Sequence, residues 1–199
     1  MDKLSTKEKI LAQALLLFNE QGTKSVSTNH IAKETGISPG NLYYHFKNKE
    51  EIIFQLWQKM DQNFDCCPAV AQRPLRELSQ LEEYFQQINE LQWQFRFLIR
   101  EFPSLIERDA ALATAFKAKQ ERRIAEIAGD VAGAVEGGLL KPMPLPQQLM
   151  LAELLWLTSL FWVSYSAGRG QVVTRETIQQ GTNALRFLLL PYLAVPLPG

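Results

Sequence analysis

The most constraining feature of this chain is the segment 27–49, where two short helical patterns flank a tight turn. A small residue, Ala32, lies where the two helices would touch, and Gly36 follows four residues later to open the turn. The Ser38–Pro39 pair has the order of a cap and a first helical residue, and Leu42 then supplies an apolar anchor. This spacing predicts a helix-turn-helix unit, whose second helix lies in the major groove of DNA.

The rest of the chain also has helical periodicity, and no stretch alternates in the manner of a β-strand. Ser5 with Glu8 fits a capping box before the first helix, and either Ser27 or Thr28 fits the cap of the second. Pro103 is expected to end the sixth helix. The predicted fold class is all-α with about nine helices, which span Ser5–Gln21, Thr28–Thr35, Pro39–Phe46, Lys49–Phe64, Leu75–Glu90, Leu91–Phe102, Asp109–Glu136, Gln147–Ala167 and Thr174–Leu190, with a break around Pro68–Pro74.

The charges of the chain balance but are unevenly distributed. Residues 1–49 hold seven lysines and four acidic residues, whereas residues 51–199 hold fourteen basic and sixteen acidic residues. A mildly basic N-terminal end is a weak indication of a polyanionic partner. The adjacent pair Cys66 and Cys67 argues against a disulfide scaffold, and no secretory signal precedes the first helix. These features indicate a cytoplasmic protein.

The helix-turn-helix segment resembles that of the tetracycline-repressor-like (TetR) family of transcriptional regulators. The resemblance covers about residues 5–55 and rests on the family pattern TxxxIAxxxGxSxxxLYxHFxxKxxL, which is matched here by Thr28, Ile31, Ala32, Gly36, Ser38, Leu42, Tyr43, His45, Phe46 and Lys49, with Ile52 at the last apolar position. It implies a DNA-binding domain over residues 1–48 and a helical effector-binding and dimerisation domain over residues 49–199. It also implies a homodimeric repressor that binds a palindromic operator and responds to a ligand. The alternative is a TetR-like architectural or cell-division protein that binds DNA without an effector.

Several side chains of this segment are candidates for contact with DNA. Asn41 lies in the first turn of the second helix, where an asparagine can pair with adenine, and Tyr43 is expected to be a better contact than Tyr44. Lys49 is expected to bind phosphate, with a solvated lysine as the alternative. Residues 1–49 contain no arginine, so this segment cannot form bidentate arginine–guanine pairs. The predicted DNA-binding residues are Thr28, Asn29, Gly40, Asn41, Tyr43, Tyr44, His45 and Lys49.

By resemblance, the helical body encloses an effector cavity, and part of its aromatic residues should line it. Few polar groups accompany these rings, which favours a small apolar or aromatic effector. Arg100 lies with Arg96 and Glu101 in an apolar run, where charges must be paired, exposed or at a cavity. Two interpretations stay open, an exposed charged stripe and an anion-binding arginine in the cavity. The predicted cavity residues are Trp57, Phe64, Phe85, Trp93, Phe97, Arg100, Phe116, Trp156 and Trp162.

The last two predicted helices are apolar on more than one face, so that another surface must cover them. Packed on their symmetry mates, they would form a four-helix bundle; covering only their own core is the alternative. A single head buries too little surface for specific DNA affinity, which also favours a homodimer. Leu149–Ala167 is long enough to span a bilayer, but its Glu153 and hydroxyl groups favour an interface. The predicted interface residues are Leu151, Leu155, Phe161, Leu185, Leu188 and Leu189.

The sequence does not predict an enzyme. Its two histidines, His30 and His45, both lie in the helix-turn-helix segment. There is no nucleophile–base arrangement, no metal-ligand spacing and no phosphate-binding loop. Neither a catalytic residue, a cofactor nor a metal is therefore expected.

Overall fold

The computed structural model describes residues 4–66 and 77–194. These residues form nine α-helices and one 3₁₀ turn, Leu190–Tyr192, which confirms the all-α prediction. The predicted break at 68–74, the predicted helix start at Leu75 and the thiol of Cys67 lie outside the described residues. The helices are α1 (Thr6–Gln21), α2 (Thr28–Thr35), α3 (Pro39–His45), α4 (Lys49–Asp65), α5 (Leu78–Gln94), α6 (Arg96–Arg108), α7 (Ala110–Glu136), α8 (Leu145–Gly168) and α9 (Arg175–Leu189).

Local sequence signals set the ends of the first helices. The Glu8 backbone N–H donates to Ser5 Oγ at 3.3 Å, and the Ser5 N–H donates to the Glu8 carboxylate at 2.8 Å, which is the predicted capping box. Ser27 caps α2 through its side chain, so Thr28 is the first residue of that helix and not its cap. Gly36 ends α2 with a φ of 73°, a left-handed conformation that glycine adopts without steric cost.

The predicted boundaries of α5 and α6 were wrong. The two helices divide at Phe95 rather than at residue 90, and α6 continues through Pro103 to Arg108. Proline lacks the N–H that would bond the carbonyl four residues earlier, here that of Ile99. The Ser164 hydroxyl of α8 donates to this carbonyl at 2.6 Å. A side chain 65 residues away thus replaces the missing hydrogen bond, and the helix is not interrupted.

One buried core joins α1–α3, which we call the head, to α4–α9, which we call the body. Phe18 and Leu42 of the head share a cluster with Ile52 of α4 and Phe97 of α6. The rings of Phe18 and Phe97 lie with their centroids 5.2 Å apart. The packing is therefore continuous across the predicted domain boundary at residue 48, and the division into two domains stays a prediction.

A buried polar contact fixes the head where α5 meets α6. Asn19 is only 6% exposed. Its Nδ2 donates to the carbonyl of Gln94 at 2.8 Å, and its Oδ1 accepts from the N–H of Phe97 at 3.1 Å. One carboxamide thereby satisfies backbone groups at the end of α5 and at the start of α6 that have no partner within their own helices.

We expect Ser164→Ala to lower the free energy of unfolding by about 1–2 kcal/mol, because the Ile99 carbonyl would lose the hydrogen bond that compensates for Pro103. Urea denaturation of both proteins measures this. Pro103→Ala restores an N–H that can bond Ile99 within the helix. The cost of Ser164→Ala should therefore be smaller in the Pro103→Ala background, and equal costs in both backgrounds would contradict the assigned role.

Candidate DNA-binding site and effector cavity

Helix α3 presents an exposed polar and aromatic face. Leu42 is fully buried and anchors the helix in the core of the head. Tyr44 is 85% exposed and Tyr43 is 50% exposed, and Gly40 and Asn41 in the first turn are also exposed. The helix therefore displays several groups that can form hydrogen bonds to a partner, on a short segment whose position is fixed by packing.

The start of α2 lies beside α3. The hydroxyl oxygens of Thr28 and Tyr43 are 3.0 Å apart, so these two side chains form a single hydrogen-bonded unit. Asn29 is exposed next to them, and the half-buried His45 packs edge-on against Tyr44 with centroids 5.1 Å apart. Because the Tyr43 hydroxyl is already engaged, Tyr44 presents the more accessible hydroxyl, and the expected order of the two tyrosines as DNA contacts stays a prediction.

Lys49 has a structural role within the head. Its Nζ donates to the carbonyl of Thr23 at 2.6 Å and to that of Val26 at 3.1 Å. Both carbonyls belong to the loop between α1 and α2, so Lys49 ties the first residue of α4 to this loop. At most one ammonium proton remains for a phosphate, and that contact stays a prediction. The neighbouring Lys47 is exposed, and sequence reasoning passed over it as a candidate cation.

Two adjoining cavities lie in the body, one of about 110 Å³ and one of about 100 Å³. We call them the larger lobe and the smaller lobe. Apolar side chains from all six helices of the body make up most of their lining. The two lobes share Phe64, Ile88, Arg123, Trp156 and Ser159. Of the predicted cavity residues, the structure places Phe85 in the larger lobe, Trp57 and Phe116 in the smaller lobe, and Phe64 and Trp156 in both.

Three predicted cavity rings lie elsewhere. Phe97 is fully buried in the core that joins head and body. Trp93 lies in an outer groove, where the guanidinium carbon of Arg96 is 4.1 Å from its ring centroid. Trp162 packs on Gly181, where an added Cβ would lie 2.8 Å from the indole ring. A tryptophan or phenylalanine is suited to each of these environments, so residue type alone did not distinguish them.

Arg100 is neither in the cavity nor part of an exposed stripe, so both interpretations of the sequence were wrong. Its guanidinium donates to the carbonyls of Phe18 and Asn19, at 3.0 and 3.3 Å, at the end of α1. It also pairs with Glu101 at 2.8 Å, and Glu101 accepts from the hydroxyl of Thr23 at 2.6 Å. A cation at a helix C-terminus is stabilising because it meets carbonyls that lack intrahelical partners.

The wall shared by the two lobes contains a buried arginine, Arg123, whose ionic partners the sequence did not reveal. Arg123 is 4% exposed, its guanidinium lies 3.8 Å from the centroid of the Phe64 ring, and it bonds Asp61 and Asp65 at 2.9 and 2.6 Å. Burial works to raise the pKa of Asp65, but hydrogen bonds from Arg122 and Arg123 hold that pKa below its ordinary value. The end of α4 is thereby joined to α7 by charge-assisted hydrogen bonds.

Half of the predicted interface residues are buried within one copy of the chain. Leu151, Leu185 and Leu189 are 3–7% exposed, and Leu155 lines the larger lobe. Helix α8 is apolar around much of its circumference, whereas α9 carries many polar residues, and the sequence alone did not show which of their apolar residues the body covers. The uncovered face is a groove between α8 and α9, which is lined by the predicted Phe161 and Leu188 and also by Leu157, Thr158, Trp162, Tyr165, Ala184 and Phe187.

Within residues 4–66 and 77–194, α8 is the one helix that is long and apolar enough to cross a membrane. Only 22% of its most apolar window is buried in the chain. Phe187 on α9 is 73% exposed, and Leu157 and Tyr165 on α8 are 50% and 56% exposed. The two helices therefore carry an exposed apolar surface that is large for a chain on its own.

Comparison with known proteins agrees with this architecture. Residues 56–196 match the profile described as "TetR: Bacterial transcriptional repressor", and residues 10–56 match that of "Bacterial regulatory proteins, tetR family". The chain belongs to the TetR family. A crystal structure of a TetR-family transcriptional regulator from Marinobacter aquaeolei VT8 is 30% identical, with a TM-score of 0.84, and the match covers 96% of this chain and 92% of that one.

These curated relatives match this chain over a stretch of 58 residues. The regulator AcrR of Shigella flexneri is 40% identical over 58 residues, which are 29% of this chain and 27% of AcrR. The regulator SAB2452 of Staphylococcus aureus is 41% identical over 58 residues, or 31% of its length. The match thus spans less than a third of either relative. AibR, solved with isovaleryl coenzyme A and operator DNA, shares the fold at 18% identity and a TM-score of 0.65, over 89% of this chain and 96% of that one.

We expect Lys49→Met to lower the free energy of unfolding by about 1.5–3 kcal/mol, because two backbone carbonyls would lose charge-assisted hydrogen bonds. Lys47→Met is the matched control, since Lys47 is exposed, and it should change stability by less than about 0.5 kcal/mol. Chemical denaturation of the three proteins compares them. Equal stabilities of the two variants would show that the Lys49 contacts contribute nothing.

Proposed function

We propose that this TetR-family protein is a ligand-responsive transcriptional repressor that binds a palindromic operator as a homodimer. The observation that carries the proposal is the exposed face of α3, with Asn41, Tyr43 and Tyr44 on a helix that Leu42 anchors in the head core. Such a short, rigid helix suits entry into the major groove. Contacts to phosphate and sugar position a protein on DNA, and the hydroxyls of Thr28, Tyr43 and Tyr44 suit such contacts. Contacts to base edges give specificity, and Asn41 suits a base edge.

The head lacks the residue that most often reads guanine. Residues 1–49 contain no arginine, so recognition of G·C pairs by a bidentate guanidinium is excluded for this segment. The shape of the operator and contacts from Asn41 must then carry more of the discrimination. The exposed Lys47 and the remaining proton of Lys49 supply cations for the phosphate backbone near the start of α4.

The two lobes support a ligand-responsive regulator over the alternative without an effector. Helix α4 connects them to the head, because it begins at Lys49 and carries Phe64 near its other end. A ligand in the lobes contacts this distal end. In the proposed mechanism α4 has two positions, one that allows DNA binding and one that does not. The ligand shifts the equilibrium between them only if it binds one more tightly than the other. The structures of AibR with isovaleryl coenzyme A and of SmeT with triclosan show that the fold accommodates ligands in other proteins.

The groove between α8 and α9 supplies the dimer surface. Phe187 projects from one side of it, and Leu157, Phe161 and Tyr165 line the other. A two-fold axis through such a groove places the same patch of two copies face to face. Two copies of α8 and α9 then form a four-helix bundle and hold two heads for the two halves of a palindrome.

The proposed DNA contact is tested by a gel-shift titration with the DNA directly upstream of the protein's own gene. We expect a retarded species at low salt, and Asn41→Ala should weaken binding by about 1–3 kcal/mol, or roughly 5- to 150-fold, for each head. Asn183→Ala, an exposed asparagine on α9, is the control and should bind as the wild type does. The absence of a retarded species, or equal binding by Asn41→Ala, would refute the proposal.

The dimer surface is tested separately by light scattering coupled to size-exclusion chromatography. The double variant Leu157→Asp with Phe187→Asp should convert the dimer to a monomer, because two apolar contacts in each copy would be replaced by buried like charges. Leu16→Asp is the matched control, since Leu16 is an exposed leucine on α1, at 55% exposure. The control should remain dimeric, and a dimeric double variant would place the interface elsewhere.

A further inference from the structure

The charged side chains Arg123, Asp61 and Lys119 on the walls of the two lobes belong to an ionic cluster whose charges balance. Arg123 bonds Asp61, Asp65 and Glu126 at 2.6–2.9 Å, and Lys119 also pairs with Asp61. With Arg122, which bonds Asp65 at 2.8 Å, the cluster contains three cations and three carboxylates. Asp130, another acid on the wall of the larger lobe, is not free either. A positively charged ligand would therefore find no unpaired carboxylate on the described wall, and burying its charge would be costly.

The hydrogen-bonding capacity that remains on the shared wall consists mainly of donors. The indole N–H of Trp156 and the Nε–H of Arg123 are not bonded to any other described residue. Ser159 Oγ accepts from Gln92 at 3.1 Å, which leaves its own proton for a further acceptor. Trp156 and Ser159 are three residues apart on α8 and so share one face of the helix. The Gln92 amide oxygen remains as an acceptor, but a neutral amide does not offset a buried positive charge.

The size of the lobes limits what can occupy them. At about 110 and 100 Å³, each is smaller than the roughly 150 Å³ apolar cavity that accepts benzene in an engineered protein. Neither lobe alone therefore holds a substituted aromatic ring, and a molecule of two fused rings must lie across the shared wall and occupy parts of both lobes. There it would contact Phe64 of α4 and Trp156 of α8, which both line the two lobes.

We infer that the effector of this protein is a neutral, apolar molecule of about two rings that carries a carbonyl oxygen. The oxygen accepts hydrogen bonds from Trp156 and Ser159 on the shared wall, and the rings fill the two lobes. Trp156 and Ser159 are thus the residues that determine specificity. The inference rests on the proposed function in one respect, namely that these lobes are the effector site. A cation is disfavoured by the paired acids, and a carboxylate is disfavoured because three carboxylates already neutralise the three cations of the cluster.

Four naphthalene derivatives of matched shape test this inference by isothermal titration calorimetry on the full chain. They are 2-acetylnaphthalene, 2-naphthoate, 2-isopropylnaphthalene and 1-(2-naphthyl)ethylammonium, which differ in the group that meets the shared wall. We expect 2-acetylnaphthalene to bind most tightly, roughly three- to tenfold more tightly than the isopropyl compound, as one or two added hydrogen bonds predict. The ammonium compound should bind at least tenfold more weakly than the ketone. Tighter binding of the hydrocarbon, the carboxylate or the ammonium compound, or no binding of any, would overturn the inference.

Two variants locate the recognition on α8. Trp156→Phe keeps a ring but removes the N–H, and it should abolish most of the preference for the ketone over the hydrocarbon. Trp93→Phe, a tryptophan of the outer groove, is the control and should keep that preference. Ser159→Ala is a second variant that removes a donor with little change in volume, and it should reduce the preference as well. A preference unchanged in both Trp156→Phe and Ser159→Ala would overturn the assignment of these residues.

The same ligands separate this inference from the proposed function. If DNA is bound in the gel shift but the ketone shows no preference, the ligand class is wrong and the DNA-binding function stands. If the ketone binds with the expected preference but leaves DNA affinity unchanged, the ligand class stands and the ligand-responsive function is wrong.

Discussion

The Asn19 carboxamide, buried where α1 meets the junction of α5 and α6, is the contact on which the position of the head depends. It bonds the carbonyl of Gln94 and the N–H of Phe97, so its loss would leave two backbone groups buried without partners. Apolar packing of Phe18 on Phe97 stabilises the same junction, but such packing tolerates small shifts. The hydrogen bonds do not, because they require defined distances and angles. The two bonds thereby fix one point of attachment between the head and the body.

The parts of the fold that follow from local chemistry could be predicted from the sequence. The capping box of Ser5 and Glu8 and the glycine turn at Gly36 depend on residues a few positions apart. The continuation of α6 through Pro103 could not be predicted, since it depends on a hydroxyl 65 residues away. The sequence predicted the cavity only as a region rich in aromatic residues. Trp93 and Trp156 have the same chemistry in the sequence, and only packing of distant helices separates an outer groove from an inner wall.

A charged residue beside the cavity cannot be distinguished in the sequence from one on the surface. Arg123 appears in the sequence as one of several basic residues on an ordinary charged helix, yet it is 4% exposed beside Phe64. A buried ion pair contributes less to stability than its short distances suggest, because both partners lose hydration. It does fix geometry, since moving either partner alone leaves a buried charge unpaired. The cluster of Asp61 and Asp65 with Arg123 therefore holds the distal end of α4 in one register on α7.

The two ends of α4 are consequently held by different partners, and this determines how motion would reach the head. Thr23 is 4% exposed and is bonded to both α4 and α6. Its carbonyl accepts from Lys49 of α4. Its N–H and hydroxyl donate to Glu101 of α6. A ligand that displaces Phe64 shifts α4 relative to α6. Either the bonds at Thr23 break or the head tilts about the Asn19 junction. Breaking charged hydrogen bonds at a buried site costs more than a small tilt of a packed unit, so in the proposed mechanism the displacement would be transmitted to α3.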